Sequence, residues 1–337
     1  MERIGAMAKL GIISFAHVHA GGYAACIQNT PAADLAAIWD DDAARGRQAA
    51  EQFGCDFMND LDDFLSSDVE GVVITAENVR HRELVEKAAA AGKWILCEKP
   101  LATTVEDAQA IIAACEKAGV GLGTAFPCRY STPLRNVRDQ VAAGGLGRIY
   151  AAACTNNGQF PGGWFGDAAL AGGGAAMDHT VHVVDLLRWM LEGEFTSVYC
   201  ENGHLHGRDT ELDDVGVVQM EMDAGGPEPV IVSHIASWNR PKSFPTWGDV
   251  TIEFIGEKGT LYVDAFRQKI DVYDDTANRL FWAGWGGNMD MGLVAEFAQA
   301  VDQRRAPAIT GEDGLRATEV TTAAYQSART GEVVAIG

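Results

Sequence analysis

From residue 9 to about residue 125 the chain alternates short apolar runs with stretches of helix-forming residues, and this alternation restricts its fold more than any other feature. The runs at 10–15, 35–39, 72–75, 94–97 and 120–124 have strand length and few polar interruptions, the pattern of strands covered on both faces. Between them, residues 82–91 are rich in strong helix formers and stop at Gly92, while Thr104-Val105-Glu106-Asp107 offers a capping hydroxyl and first-turn acids. Strand and helix in alternation predict an α/β unit with a doubly wound parallel sheet.

Beyond Arg129 the texture changes. Residues 149–155, 197–200, 215–222, 230–238, 250–255 and 260–263 read as strands with few helices between them, and turn residues at 223–227 and 256–259 punctuate them as hairpins. This predicts an α+β domain with a large, open, mainly antiparallel sheet, one face of which can cover the cleft of the first domain. Helical pattern returns at 292–303 and 315–329. The expected division is a nucleotide-binding domain at 1–125 and a substrate-binding and oligomerisation domain at 126–337.

With 337 residues and 47% hydrophobic content, the chain can fill two cores. Lys and Arg total 26 against 47 Asp and Glu, a formal charge of −21, and no basic patch offsets it; nucleic acid and anionic membrane surfaces are therefore not expected partners. Seven scattered cysteines without a CxxC pair read as reduced thiols in a cytoplasmic protein. The first residues lack a signal-length apolar core and no later run reaches bilayer length, so neither export nor membrane insertion is expected.

The segment Trp94-Ile95-Leu96-Cys97-Glu98-Lys99-Pro100 is an apolar strand that ends in a carboxylate, an amine and a proline. Ligands of open parallel sheets sit beyond the carboxyl ends of the strands, which aims Lys99 at substrate. Pro100 restricts Lys99 to extended angles and permits a cis peptide. The plainer reading is a pair of solvated charges at a strand end. After the first strand, the positions of a GxGxxG fingerprint hold Ser14, Ala16 and His19. Small Ser14 and Ala16 still permit close approach of a phosphate, and His17 or His19 can donate to it; otherwise the loop is only a tight turn. Asp40 ends the second strand where a ribose-binding carboxylate belongs, which favours NAD, with Arg45 and Arg47 leaving NADP open. Asp41 and Asp42 read as helix-start acids.

Residues 172–190 form a glycine-rich lead into a helix on which Asp178, His182 and Asp185 share one face. The rest of that helix is apolar, so the polar stripe needs partners or a wet cleft. A core histidine held by Asp178 or Asp185 is the alternative. His17-x-His19, His204-x-His206 and His179-x-x-His182 have ligand spacing but no visible cysteine or acidic partner set, so no metal is expected.

Taken together, Glu98-Lys99-Pro100, residues 75–81 and residues 172–182 with Asp185 resemble the glucose-fructose oxidoreductase/inositol dehydrogenase family, Gfo/Idh/MocA, in order and spacing over nearly the whole chain. The resemblance implies a Rossmann domain, a sheet domain used for substrate binding and for homodimer or homotetramer contacts, and hydride transfer between NAD(P) and a hydroxyl or carbonyl carbon of a sugar, inositol or related polyol. Carried onto this sequence, Lys99 polarises the reacting oxygen, His182 exchanges its proton, and Asp178 orients substrate or His182. The cofactor side comprises Ser14, Phe15, Ala16, His17, His19, Asp40, Ala76, Asn78, His81, Glu98 and Lys99; the substrate side comprises Lys99, Arg129, Trp164, Asp178 and His182. Trp164 is the preferred sugar-stacking ring among aromatics that otherwise fill a sheet face or a subunit interface, and Asn156 and Arg240 are further hydroxyl-binding candidates. The chain departs from the family pattern at its degraded glycine loop and at Ala76-Glu77-Asn78, where Thr-Pro-Asn is usual. Two rival readings are an inactive NAD-binding sensor or scaffold, and an enzyme using NAD transiently for elimination or epimerisation.

Overall fold

The computed structural model describes residues 7–205, 210–276, 278–284 and 286–337. In chain order the elements are β1 (Ala8–Ile13), α1 (Ala20–Gln28), β2 (Ala33–Trp39), α2 (Ala43–Phe53), β3 (Asp56–Met58), α3 (Leu61–Ser66), β4 (Gly71–Ile74), α4 (His81–Ala90), β5 (Trp94–Cys97), α5 (Val105–Ala118) and β6 (Leu122–Thr124). They continue with α6 (Thr132–Ala142), β7 (Ile149–Gly158), α7 (Ala168–Ala171), α8 (Ala175–Leu191), β8 (Glu194–Gly203), β9 (Val215–Asp223), β10 (Val230–Ser237), β11 (Gly248–Gly256), β12 (Gly259–Asp264), β13 (Lys269–Asp274), β14 (Arg279–Gly284), α9 (Met289–Gln303), α10 (Gly311–Thr330) and β15 (Val334–Ala335).

The first six strands pair entirely in parallel, in the order β3-β2-β1-β4-β5-β6. Strand order therefore reverses between β1 and β4, the switch point where such sheets bind ligands. β4 and β5 are buried along their whole length, as their unbroken apolar runs require. Caps set the helix starts: Asp42 accepts from the Ala44 and Arg45 amides ahead of α2, and Thr104 accepts from the Asp107 amide ahead of α5. The compact unit built on this sheet spans Met1–Pro127 and also takes in Ala169–Gly172 and Met289–Thr318. Its late segment contributes α9, which packs on α1 and β1. There, Val301 and Phe297 fill the space over Gly71, where an added Cβ would lie 2.8 and 3.3 Å from them.

The second unit comprises Cys128–Ala168, Gly173–Asn288 and Glu319–Gly337. Its seven strands run in the order β12-β11-β7-β10-β9-β8-β15, antiparallel except for the β10–β7 pair. The turns expected near 223–227 and 256–259 join β9 to β10 and β11 to β12. α8 packs across one face of the sheet, against β7, β8, β9 and β10. The opposite face leaves Val217, Ile231, Ile235, Ile255 and Tyr262 exposed. A separate hairpin, β13–β14, was not expected; β13 carries three charges in six residues and gives no apolar signal. Among the described residues, no helix is long and apolar enough to cross a membrane.

Candidate active site

β1 is followed by Ser14, whose φ of 74° places a serine in backbone space normally held by glycine. The turn thus keeps the shape of a glycine fingerprint whose letters it has lost. The Ser14 hydroxyl accepts from the Ala16 amide at 3.2 Å, and Thr75 Oγ1 donates to the Ser14 carbonyl at 2.5 Å. Buried Asp40 ties β2 to this turn: its Oδ2 accepts from the Phe15 amide at 2.8 Å and from Arg45 Nε at 2.8 Å, while its Oδ1 accepts from the Asp42 amide at 2.9 Å and from Arg45 Nη2 at 2.7 Å. The bond to Asp40 raises the Arg45 pKa further. Asp42 is a helix-start acid as expected, but Asp41 pairs with Arg45 and, at 2.6 Å, with Arg80. Arg47 lies over the Phe57 ring.

At the end of β5, Glu98 and Lys99 are buried, 0% and 4% exposed, which overturns their reading as solvated charges. The Lys99–Pro100 peptide is cis. Glu98 Oε2 accepts from the Lys99 amide at 2.9 Å, and its Oε1 lies 2.8 Å from His19 Nδ1 and 3.8 Å from His17 Nδ1. Burial alone would raise the Glu98 pKa, but the two imidazoles and the Lys99 ammonium hold its carboxyl well below the usual carboxylate range. Ligating atoms of His17, His19 and Glu98 lie within 4.8 Å of one another. The His17-x-His19 pair therefore has the acidic partner that its local sequence does not reveal. Asp290, in the first turn of α9, belongs to the same electrostatic group: burial raises its pKa, with His19 lowering and Glu98 raising it. Nothing in the spacing singles it out.

Ala76, Asn78 and His81, expected on the cofactor side, are all buried and occupied with bracing loops. Asn78 Nδ2 donates to the Ala171 carbonyl at 2.9 Å, and the His81 ring nitrogens face the carbonyls of Pro100 at 2.9 Å and Ala76 at 3.3 Å. Burial pushes the His81 pKa down.

The glycine-rich lead into α8 has a steric cause. A Cβ on Gly174 would lie 2.1 Å from the Asp213 carbonyl oxygen. That carbonyl accepts from the Ala175 amide, and Asp213 Oδ2 accepts from the Ala176 amide at 2.8 Å. The Tyr325 hydroxyl donates to Asp213 Oδ1 at 2.5 Å and accepts from the Gly174 amide at 2.8 Å. Burial raises the pKa of both Asp213 and Tyr325.

One turn into α8, Asp178 Oδ2 accepts from Trp238 Nε1 at 2.9 Å and lies 3.3 Å from His179 Nε2. His179 Nδ1 faces the Asn156 carbonyl at 2.7 Å. His182 follows one turn later, 8% exposed. Asp185, fully buried, receives Arg129 Nε at 3.0 and 3.1 Å and Arg129 Nη2 at 2.6 Å. Asp178 and Asp185, 5% and 0% exposed, both accept from buried donors within the protein. Arg129, expected on substrate, directs its Nε and Nη2 to Asp185. Asn156 and Arg240 are likewise engaged, both with Asp249. Trp164 is partly exposed and stacks on Phe165 with centroids 4.0 Å apart. His206, Trp285 and the Trp282 side chain lie outside the described residues. The Trp238–Asp178 and Tyr325–Asp213 bonds join residues too distant in sequence for any motif to pair them.

Residues 10–126 match the oxidoreductase family with an NAD-binding Rossmann fold, and residues 134–262 match the GFO/IDH/MocA C-terminal domain. The 1,5-anhydro-D-fructose reductase of Ensifer adhaerens is 30% identical over 276 residues, 80% of each chain. The chain belongs to the Gfo/Idh/MocA oxidoreductases. Inositol 2-dehydrogenase 3 of Saccharopolyspora erythraea is 29% identical over 311 residues, 90% of this chain and 88% of that one. Among solved structures, GenD2 from gentamicin A biosynthesis, in complex with NAD, superposes with a TM-score of 0.89 at 25% identity, covering 100% of this chain and 98% of that one. As a member of this family, the protein is an oxidoreductase whose cofactor is NAD. The left-handed backbone at Ser14 and the buried carboxylate closing β2 fit a dinucleotide.

Proposed function

We propose that this oxidoreductase moves a hydride between NAD and a secondary hydroxyl or carbonyl carbon of a sugar, inositol or related polyol, with Lys99, Asp178 and His182 as its catalytic residues. The observation that carries the reading is a carboxylate and an imidazole, Asp178 and His182, buried one turn apart on an otherwise largely apolar helix. The reductase and dehydrogenase named above, both acting on polyhydroxylated rings, support the substrate class.

Bound NAD supplies the hydride acceptor. Ser14, Phe15, Ala16, His17, His19 and Asp40 hold it, with Ala76, Asn78, His81, Glu98 and Lys99 shaping the remainder of its site. The Lys99 ammonium stabilises negative charge on the reacting oxygen, and the Glu98 carboxylate behind it limits where the lysine backbone can move. His182 accepts the hydroxyl proton, since an imidazole has a pKa suited to that task near neutrality. Asp178 orients substrate or His182, and Trp164 offers a ring for stacking a sugar face.

The test is cofactor absorbance in a panel of sugars, inositols and sugar acids, followed by Lys99→Met and His182→Ala on the best substrate. Each substitution is expected to lower kcat by at least about a hundredfold. Turnover within a few fold of the parent in both variants refutes the assignment.

The exposed apolar residues on the outer face of the seven-stranded sheet, Val217, Ile231, Ile235, Ile255 and Tyr262, support self-association to a dimer or tetramer. Ile231→Lys with Ile235→Lys is expected to shift the mass measured by light scattering down to the monomer. Seven free cysteines support residence in a reducing compartment, the cytoplasm.

A further inference from the structure

We propose that Trp238 is a positioning residue for the reaction, acting through Asp178; the proposal rests on the role given to Asp178 above. The indole is fixed before it meets the carboxylate. Trp238 is 1% exposed and shares a buried cluster with Phe165 and Ala175, against which Phe160 and Trp164 pack. Its ring centroid lies 5.3 Å from that of Phe160 and 6.5 Å from that of Phe165, and its backbone amide donates to the Asp214 carbonyl at 2.9 Å. A buried indole packed against two aromatic rings cannot turn its N–H elsewhere without breaking this packing.

Asp178 is 5% exposed, and a carboxylate that deep needs a donor to stay ionised. Trp238 Nε1 supplies one at 2.9 Å to Oδ2, the oxygen that also lies 3.3 Å from His179 Nε2. With both contacts on Oδ2, the carboxylate plane is set and so is the direction of Oδ1. His179 is itself anchored through Nδ1 on the Asn156 carbonyl. Two neighbours, one from the end of β10 and one from α8 braced on β7, thereby fix one carboxylate. Loss of the indole N–H removes a donor that holds Oδ2, and with it part of the restraint on the carboxylate plane.

Two variants separate the hydrogen bond from the bulk of the ring: Trp238→Phe, and replacement of Trp238 by 3-benzothienylalanine, which puts sulfur in place of N–H at nearly the same volume. Both are measured alone and in an Asp178→Ala background, with the best polyol from the panel. Each alone is expected to lower kcat/KM by about tenfold to a hundredfold, the scale of one hydrogen bond to a charged group. Neither should add to Asp178→Ala, because a residue acting only through Asp178 has nothing left to position. In the indole 15N–1H spectrum, the resonance lost in Trp238→Phe should shift in Asp178→Asn, a readout independent of substrate. Full activity of the benzothienyl variant, an undiminished effect of Trp238→Phe in the Asp178→Ala background, or an unmoved indole resonance each overturns the proposal. If Asp178→Ala itself keeps kcat/KM within a few fold, the catalytic role of Asp178 fails and this proposal with it, an outcome distinct from an inactive Asp178→Ala beside a fully active benzothienyl variant.

Discussion

Replacing Arg129 by methionine strands a carboxylate. Arg129 meets Asp185 through Nε at 3.0 and 3.1 Å and through Nη2 at 2.6 Å, with side chains 9% and 1% exposed. Water cannot replace the lost guanidinium at so buried an oxygen. Removing one partner of a buried pair costs about 3–5 kcal/mol, chiefly from the charge left behind. In a unit the size of the second one, each kcal/mol corresponds to roughly 2–4 °C, so Arg129→Met should melt about 6–20 °C lower. Removing both charges in Arg129→Met/Asp185→Leu should recover most of that loss, since no uncompensated ion remains. Calorimetry of the three proteins at neutral pH is the assay. A double variant melting as low as the single one refutes the reasoning, because lost packing rather than a stranded charge would then be the cause.

Arg45→Ala frees one acceptor position on each oxygen of Asp40 and removes a cation able to pair with a 2′-phosphate; the ratio of kcat/KM for NAD over NADP should rise by roughly tenfold, and a fall would contradict the arrangement. Gly174→Ala drives a methyl into the Asp213 carbonyl; melting should report a loss of about 1–3 kcal/mol, and an unchanged melting temperature would show that the start of α8 is not so confined. His234 is buried, and burial, with His179 nearby, pushes its pKa down to about 3. The folded state thus holds His234 neutral while the unfolded chain takes up its proton near pH 6.5, so this contribution to stability is complete above pH 6.5 and lost as pH falls, by about 1.4 kcal/mol per unit. Urea unfolding at pH 7.5 and 5.0 should show about 2 kcal/mol less acid loss in His234→Gln than in the parent, and equal slopes would refute this.

The sheet of the first unit is legible because its central strands are buried on both faces, which forces unbroken apolar runs such as that ending at Cys97. β3 escaped because three residues at a half-covered edge carry no such signal. Lys99, Asp178 and His182 stand out as polar groups in apolar surroundings. Their partners do not, since Trp238, Arg129 and Tyr325 look in sequence like ordinary aromatics and an ordinary cation. Ser14 shows a different limit: its letter argues against a glycine turn, while its backbone adopts one. The texture change near residue 125 marks a boundary, but the amphipathic pattern of 292–303 cannot state which sheet that helix will cover.

That helix has a consequence for synthesis. Val294, Phe297 and Val301 of α9 are among the buried residues of the nucleotide unit, and Phe297 and Val301 fill the space above Gly71. Domains that fold as the ribosome delivers them do so once their last segment emerges. Here the strands made first wait, with one flank of β1 and β4 uncovered, while more than half of the polypeptide is still to be translated. A nascent chain halted before residue 289 carries every strand of the nucleotide sheet and lacks part of its roof, which makes premature termination a source of sticky fragments rather than of a free-standing dinucleotide domain.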